Sequence, residues 1–321
     1  MAPVFSKQRA TVIGVTAIGF WAFMVSTMRL TTEYFGTLLG AGILYTIASA
    51  ALWVMRRPRN IRSFPKKYLV IGTVLVAFVE IATSQAVGLA ANEIQTIEVG
   101  IVNYLWPTFT VLLTVASTRG SKPSWLIVPG TLLATGGVIC ALGGDAGLSI
   151  SAVAANLSDN PLPYGLIFMA AVTWACYSVF TPRIAEGCDG LAVFFTATAC
   201  ALWVLYFVNG APLPEINPGL LGIFTAVFAA LALAAGYACW NIGIIYGNMN
   251  VMACASYATP ILSTLVSVVL LHATLSAPFW FGAVAVVIGS LTSWLATDGR
   301  HLLQRKDAIR RVPLPPKEEC H

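Results

Sequence analysis

Long apolar segments separated by short polar loops dominate this chain. A helix needs about 20 predominantly apolar residues to cross a bilayer. Ten segments reach about this length, and they cover 10–28, 35–55, 68–91, 95–117, 124–143, 163–183, 190–208, 218–244, 250–271 and 277–297. The pattern therefore predicts an all-α integral membrane protein with ten transmembrane helices.

A polar connection over 144–162 divides these segments five and five. We expect a first five-helix repeat over 1–143, this connecting loop, a second repeat over 163–297 and a polar tail over 298–321. Sequence features recur between the halves at a spacing of 153 residues, since Trp21 matches Trp174 and Tyr104 matches Tyr257. Each half has an odd number of helices, so the halves insert in opposite orientations. The sequence thus predicts two inverted-topology repeats around a central cavity.

Composition and charge agree with this prediction. The chain is 58% hydrophobic and 10% charged, whereas a soluble domain carries about 25% charged residues. Cytoplasmic loops of membrane proteins are rich in Lys and Arg. With the N-terminus in the cytoplasm, all of the 18 Lys and Arg residues except Arg29 fall on the cytoplasmic side. Both termini are therefore expected in the cytoplasm and the 144–162 loop outside. The net charge of +5 then reflects topology and not nucleic-acid binding.

Two prolines interrupt corresponding apolar segments, Pro107 in the fourth and Pro260 in the ninth. Proline removes a helical N–H group and crowds the carbonyl four residues back. Paired helix breaks of this kind indicate the binding site of a transporter. Tyr104 and Trp106 lie about 200° apart on an ideal helix. Both can line one cavity only if the helix is distorted near Pro107.

Polar residues within the apolar segments are candidates for the cavity. Glu80 is the only acid near the centre of a segment, and its charge would cost a few kcal/mol in lipid, so it should face the bundle interior. It can be a protonated structural group, a partner for a substrate ammonium or a proton carrier. Ser84 lies four residues from Glu80, and Tyr237 and Asn241 lie on the corresponding face of the second half. Interhelical hydrogen bonding is the alternative role for these groups.

Aromatic residues lie deep in several segments. The members expected to line the cavity are Trp21, Tyr104, Trp106, Trp174, Tyr237, Trp240 and Tyr257. Aromatic faces attract cations and stack with other rings, so this set suits an aromatic or cationic solute. Packing in the bundle core is the alternative. A substrate carboxylate has no buried Arg or Lys available, which leaves Asn103, Asn241 or the N–H groups of the broken helices.

Other functional classes are disfavoured. His272, at the edge of the ninth segment, is the only His in an apolar segment, and all five Asp residues lie in loops, at segment ends or in the tail. This placement argues against an intramembrane hydrolase. The seven cysteines form no CxxC motif, so no metal site, cofactor or disulfide framework is expected.

Ten helices in two halves, with a Tyr-x-x-Pro in each fourth helix, resemble the EamA-type exporters of the drug/metabolite transporter (DMT) superfamily. The deep aromatics and Tyr104-Leu105-Trp106-Pro107 most resemble the YddG aromatic amino acid exporters within it. The resemblance covers about 10–297. It implies a carrier of the bacterial inner membrane that exports amino acids, chiefly phenylalanine, tyrosine and tryptophan. The expected partners are these small molecules and the lipid bilayer, and the sequence gives no sign of an obligate protein partner. A broader exporter of cationic compounds such as methyl viologen, or of non-aromatic amino acids, is the alternative. The sequence does not distinguish proton exchange from facilitated diffusion.

Overall fold

The structure is a computed structural model that describes residues 5–57, 61–117, 124–143, 150–211, 213, 217–271 and 277–296. Within these ranges the chain is helical, with no strand. The first part contains α1 Lys7–Phe35, α2 Thr37–Arg56, α3 Lys66–Gly88, α4 Glu93–Asn103, α5 Trp106–Ser117 and α6 Ile127–Gly143, with a short 3-10 helix at Ile61–Ser63. The remainder contains α7 Ile150–Asp159, α8 Pro161–Ala185, α9 Leu191–Val208, α10 Gly219–Tyr246, α11 Met249–Ala255, α12 Ala258–Leu271 and α13 Ala277–Trp294.

Every apolar segment of the sequence is occupied by one of these helices or by a consecutive pair. Among the described residues, seven stretches are long and apolar enough to cross a membrane by length and composition. The protein is thus a multi-pass helical membrane protein. The sequence treated 144–162 as a loop, but the structure contains α7 there. Val153 and Leu157 lie one turn apart on α7 and face the same apolar cavity, which explains this short amphipathic helix.

Two apolar segments are broken into two helices each. α4 ends at Asn103 and α5 begins at Trp106, so Pro107 lies in the first turn of α5, where a missing N–H costs no intrahelical hydrogen bond. α11 and α12 are separated in the same way just before Pro260. The residue four before each proline, Asn103 or Ser256, lies at the break, because the proline ring crowds its carbonyl. The breaks therefore precede the prolines and do not coincide with them.

Helix packing follows a recurring pattern. α1 packs along α10 and α8 along α3, whereas α2 also contacts α10 and α9 also contacts α3. α4 and α5 contact α8, and α11 and α12 contact α1. The pairs α2–α9 and α6–α13 join the two parts of the chain directly. These contacts bring the middle of α1, α3, α8 and α10 next to the two helix breaks.

The contact between α6 and α13 depends on small residues. A Cβ atom added to Gly137 would lie 2.7 Å from the Gly282 carbonyl oxygen and 2.7 Å from the Val286 nitrogen, both of which are backbone atoms. Neighbouring Gly136 has no atom within 4 Å of the same position. The backbones of α6 and α13 can approach this closely only because glycine occupies the interface.

We expect Gly137→Ala to destabilise the protein by about 1–3 kcal/mol, the usual cost of overpacking a tight interface. Gly136→Ala is the matched control, and it should be neutral or stabilising because alanine favours a helix more than glycine does. Thermal unfolding of the purified protein in detergent measures both. Equal unfolding midpoints for the two variants would contradict the packing described here.

Candidate functional site

A small cavity of about 110 Å³ lies where α1, α3, α8 and α10 meet the two helix breaks. Its lining consists of Trp21, Val79, Glu80, Thr83, Asn103, Tyr104, Trp106, Trp174, Tyr237 and Thr259. Sites for small molecules usually measure about 300–1,000 Å³. The cavity in this conformation therefore holds only very small molecules, and side chains or helices must move to admit a larger one.

Four tryptophans from different parts of the chain form one cluster at this cavity. The Trp21 ring lies at its centre, with centroids 6.1 Å from Trp106, 6.0 Å from Trp174 and 5.2 Å from Trp240. The contacts with Trp106 and Trp174 are edge to face, the arrangement that the charge distribution of aromatic rings favours. The indole nitrogen of Trp21 is buried without a hydrogen-bond partner among the described residues, and it lies against Gly236 of α10.

Glu80 lies buried at the cavity wall with 7% of its surface exposed. Tyr45 donates a hydrogen bond to one carboxylate oxygen and Tyr237 donates to the other. Two tyrosine donors hold the carboxylate in a fixed orientation beside the aromatic rings. No Lys, Arg or His belongs to the lining among the described residues. A solute with a positive charge would therefore find a carboxylate without a cationic partner. Tyr45 was not among the residues that the sequence selected for the cavity. Its only indication in the sequence is a polar hydroxyl group within a largely apolar segment.

The first helix break brings Tyr104 and Trp106 to the same cavity. Both side chains belong to the lining, although an ideal helix would point them in nearly opposite directions. The residues between α4 and α5 form a turn, which changes the direction of the chain between the two side chains. Asn103, the last residue of α4, also lines the cavity. The structure thus brings Asn103, Tyr104 and Trp106 together at one cavity.

The two tyrosines at the breaks differ in their surroundings. Tyr104 lines the cavity, with Ser263 of α12 beside it. Tyr257 is fully buried outside the lining, with its hydroxyl 2.9 Å from the hydroxyl oxygen of Thr108 in α5. Thr259, which the sequence did not select, contributes to the wall instead. Tyr257 thus contacts α5 and not the cavity.

Three other predicted residues lie outside the lining. Ser84 is partly buried beside the face of α3 that reaches the cavity, a face formed by Val79, Glu80 and Thr83. Trp240 packs against Trp21, and its indole N–H donates to the Ser178 hydroxyl at 3.1 Å.

Asn241 is occupied by its own hydrogen bonds. Its amide oxygen accepts from the Tyr177 hydroxyl at 2.9 Å, and its amide nitrogen donates to Asp189 at 2.8 Å. Asn241 therefore belongs to a polar network with Tyr177 and Asp189 outside the cavity lining. It is not a direct partner for a solute in this conformation.

A larger cavity of about 790 Å³ lies on the other side of α4, between α6, α7 and α8. Its wall is apolar apart from Glu98 and Tyr164, which are hydrogen-bonded to each other. The Asn156 amide also donates to both oxygens of Glu98, at 3.1 and 3.2 Å. Because the polar groups are already paired and the remaining wall is aliphatic or aromatic, this space suits lipid chains better than a polar solute.

Comparisons with known proteins agree with the membrane architecture. The profile of the EamA-like transporter family matches residues 162–295. An aromatic amino acid exporter YddG of Salmonella typhimurium is 42% identical over 92% of this chain and 100% of its own length. The protein of the same name from Escherichia coli K12 is 43% identical over 91% of this chain and 99% of its own length. A solved protein crystal structure superposes with a TM-score of 0.75 at 25% identity, covering 92% of this chain and 99% of that chain. On this similarity over nearly its whole length, the chain belongs to the EamA-like transporter family, together with the YddG exporters.

Proposed function

We propose that this protein exports aromatic amino acids, chiefly phenylalanine, tyrosine and tryptophan, across the bacterial inner membrane by alternating access. The observation that carries the proposal is the aromatic cavity with its buried carboxylate. The Glu80 carboxylate attracts the substrate ammonium, and the Trp21, Trp106 and Trp174 rings stack on the substrate ring. The Asn103 amide in the cavity lining is a donor for the substrate carboxylate. The exporters to which the chain is 42–43% identical carry the same activity in their names.

The architecture that we propose is ten membrane spans in two inverted repeats, over residues 1–143 and 163–297, with both termini in the cytoplasm. The packing pattern supports this assignment. Exchanging α1 with α8, α2 with α9 and α3 with α10 converts the α1–α10 pair into the observed α8–α3 pair. The same exchange converts α2–α10 into α9–α3. The equivalent residues Trp21 and Trp174 also contact each other, with centroids 6.0 Å apart. Such symmetry is the usual basis of alternating access.

A broad exporter of cationic compounds or non-aromatic amino acids is the second candidate. Glu80 favours it, because a carboxylate without a cationic partner near aromatic rings attracts any cation. The cation does not need a carboxylate group of its own. The two candidates differ in what they require of the solute. The first needs both a ring and an α-amino acid head, whereas the second needs only a positive charge.

Counterflow in proteoliposomes distinguishes these candidates. Vesicles loaded with unlabelled phenylalanine, alanine or methyl viologen are diluted into labelled phenylalanine, and the transient uptake of label is measured. We expect phenylalanine to support uptake at least about tenfold better than alanine, because ring contacts are worth about 0.5–1.5 kcal/mol each. Equal uptake with alanine or the viologen would favour the broad exporter. Absence of uptake with every loaded solute would contradict the proposed transport. Vesicles without protein provide the baseline.

A further inference from the structure

An ion pair joins the two halves of the protein on the side that the Lys and Arg distribution assigns to the cytoplasm. Arg56 is the last residue of α2, and Asp189 lies in the connection between α8 and α9. The Arg56 Nε atom lies 2.9 Å from the Asp189 Oδ2 atom. Both side chains keep about a fifth of their surface exposed, 19% and 22%. The two side chains are thus partly exposed, although the Arg56 Nε atom itself is buried.

Each member of the pair is anchored independently of the other. Arg56 also donates a hydrogen bond to the Ala238 carbonyl of α10. The Asp189 Oδ1 atom accepts from the Asn241 amide at 2.8 Å and from the Leu191 N–H at 3.2 Å. These contacts leave both charged groups in place when the ion pair itself opens. Hydrogen bonds to neutral groups therefore hold the Arg56 guanidinium and the Asp189 carboxylate side by side.

The same network leads directly to the cavity. Asn241 accepts a hydrogen bond from Tyr177, and the Tyr177 ring stacks on Trp174 with centroids 5.2 Å apart and an angle of 16° between the planes. Trp174 belongs to the cavity wall. A continuous chain of contacts through Asn241, Tyr177 and Trp174 therefore connects the ion pair to the cavity wall.

We propose that Arg56 and Asp189 form a loading site for the zwitterionic head group of the amino acid, an inference that rests on the proposed function. The substrate carboxylate replaces Asp189 at the Arg56 guanidinium, and the substrate ammonium replaces Arg56 at the Asp189 carboxylate. Every charge keeps a partner of opposite sign during this exchange, so no ion is left buried and unpaired, which would be strongly unfavourable. Opening the ion pair also removes one contact between α2 and the α8–α9 connection. The loading site provides the cation that the cavity lining lacks.

Competition at the cytoplasmic face tests this inference. Inside-out membrane vesicles containing the full chain take up labelled phenylalanine, and inhibition constants are measured for unlabelled phenylalanine and for phenylalaninamide, which has the ammonium but no carboxylate. In Arg56→Gln we expect the phenylalanine constant to rise at least about tenfold, the effect of losing a charge-assisted hydrogen bond. The constant for phenylalaninamide should change little. Arg57→Gln is the matched control, because Arg57 is exposed and bonds only to the Val54 carbonyl among the described contacts.

The reciprocal variant tests the other charge and does not depend on the folding of the first. In Asp189→Asn the constant for phenylalanine should rise, whereas that for 3-phenylpropionate, which lacks the ammonium, should change little. Equal rises for both competitors in either variant would reduce the ion pair to a structural contact and overturn the inference. Unchanged constants would overturn it as well. Lack of phenylalanine uptake by the unmodified protein would instead contradict the proposed function itself, and the loading site with it.

Discussion

Replacing Trp174 with alanine is expected to reduce phenylalanine transport by at least about hundredfold, because several ring contacts of about 1 kcal/mol each are lost together. The Trp174 ring lies 5.1 Å from Tyr237, 6.0 Å from Trp21 and 6.4 Å from Trp106. All four side chains line the cavity. The substitution removes one wall of the site and leaves the other rings without their packing partner. The measurement is the initial rate of labelled phenylalanine efflux from proteoliposomes, normalised to the reconstituted protein.

Two further variants separate loss of the site from loss of the fold. Trp174→Phe keeps an aromatic ring at this position, so it should retain much more transport than the alanine variant. Trp280→Ala removes a tryptophan whose surface is 56% exposed at the start of α13, so transport should be unchanged. Size-exclusion profiles in detergent report on folding. Normal efflux by Trp174→Ala would remove this residue from the substrate site.

The Glu80→Gln substitution should lower phenylalanine counterflow about ten- to hundredfold, since hydrogen bonds to charged groups contribute about 1.5–3 kcal/mol. A carboxylate accepts from both Tyr45 and Tyr237, but an amide group has only one acceptor oxygen. Glutamine therefore loses the charge that attracts the ammonium, and one tyrosine hydroxyl must change from donor to acceptor. Counterflow with substrate on both sides measures binding and translocation without requiring net proton movement.

The matched control is Glu33→Gln, which removes an exposed carboxylate near the C-terminal end of α1 and should leave counterflow unchanged. If Glu80→Gln retains counterflow and loses only the flux driven by a pH gradient, Glu80 is a proton carrier and not the ammonium partner. If both kinds of flux are normal, Glu80 has a structural role. Each outcome thus assigns one of the three roles that the sequence left open for this residue.

The helical segments and the deep aromatic residues were predictable from the sequence. Burial of about 20 consecutive apolar residues requires a helix, because a bilayer offers the backbone no other hydrogen-bond partners. The apolar runs thus predicted the positions of the helices within a few residues, except that α1 continues to Phe35, beyond the predicted end at 28. Tryptophans far from segment ends have no interfacial role, which singled out Trp21, Trp106, Trp174 and Trp240. All four are buried in one cluster. The prolines likewise predicted where two helices break.

The tertiary structure alone decided which residues of each helix reach the cavity. The sequence treated Tyr104 and Tyr257 as equivalents, but the first lines the cavity and the second contacts Thr108. A helix face is fixed by its rotation against its neighbours, and one residue of difference turns a side chain by about 100°. For this reason Thr83 lines the cavity where the sequence favoured Ser84.

Pairing between distant charges was also beyond the sequence. Arg56 counted only as one of the basic residues that determine orientation in the membrane, and Asp189 counted only as a loop residue. The packing of α2 and α10 against the α8–α9 connection brings them to 2.9 Å. What the sequence by itself determined is the membrane architecture and the aromatic character of the core, because both follow from local composition and periodicity. The lining of the cavity and its polar connection to the Arg56–Asp189 pair depend on contacts between residues more than 50 positions apart, which only the folded chain specifies.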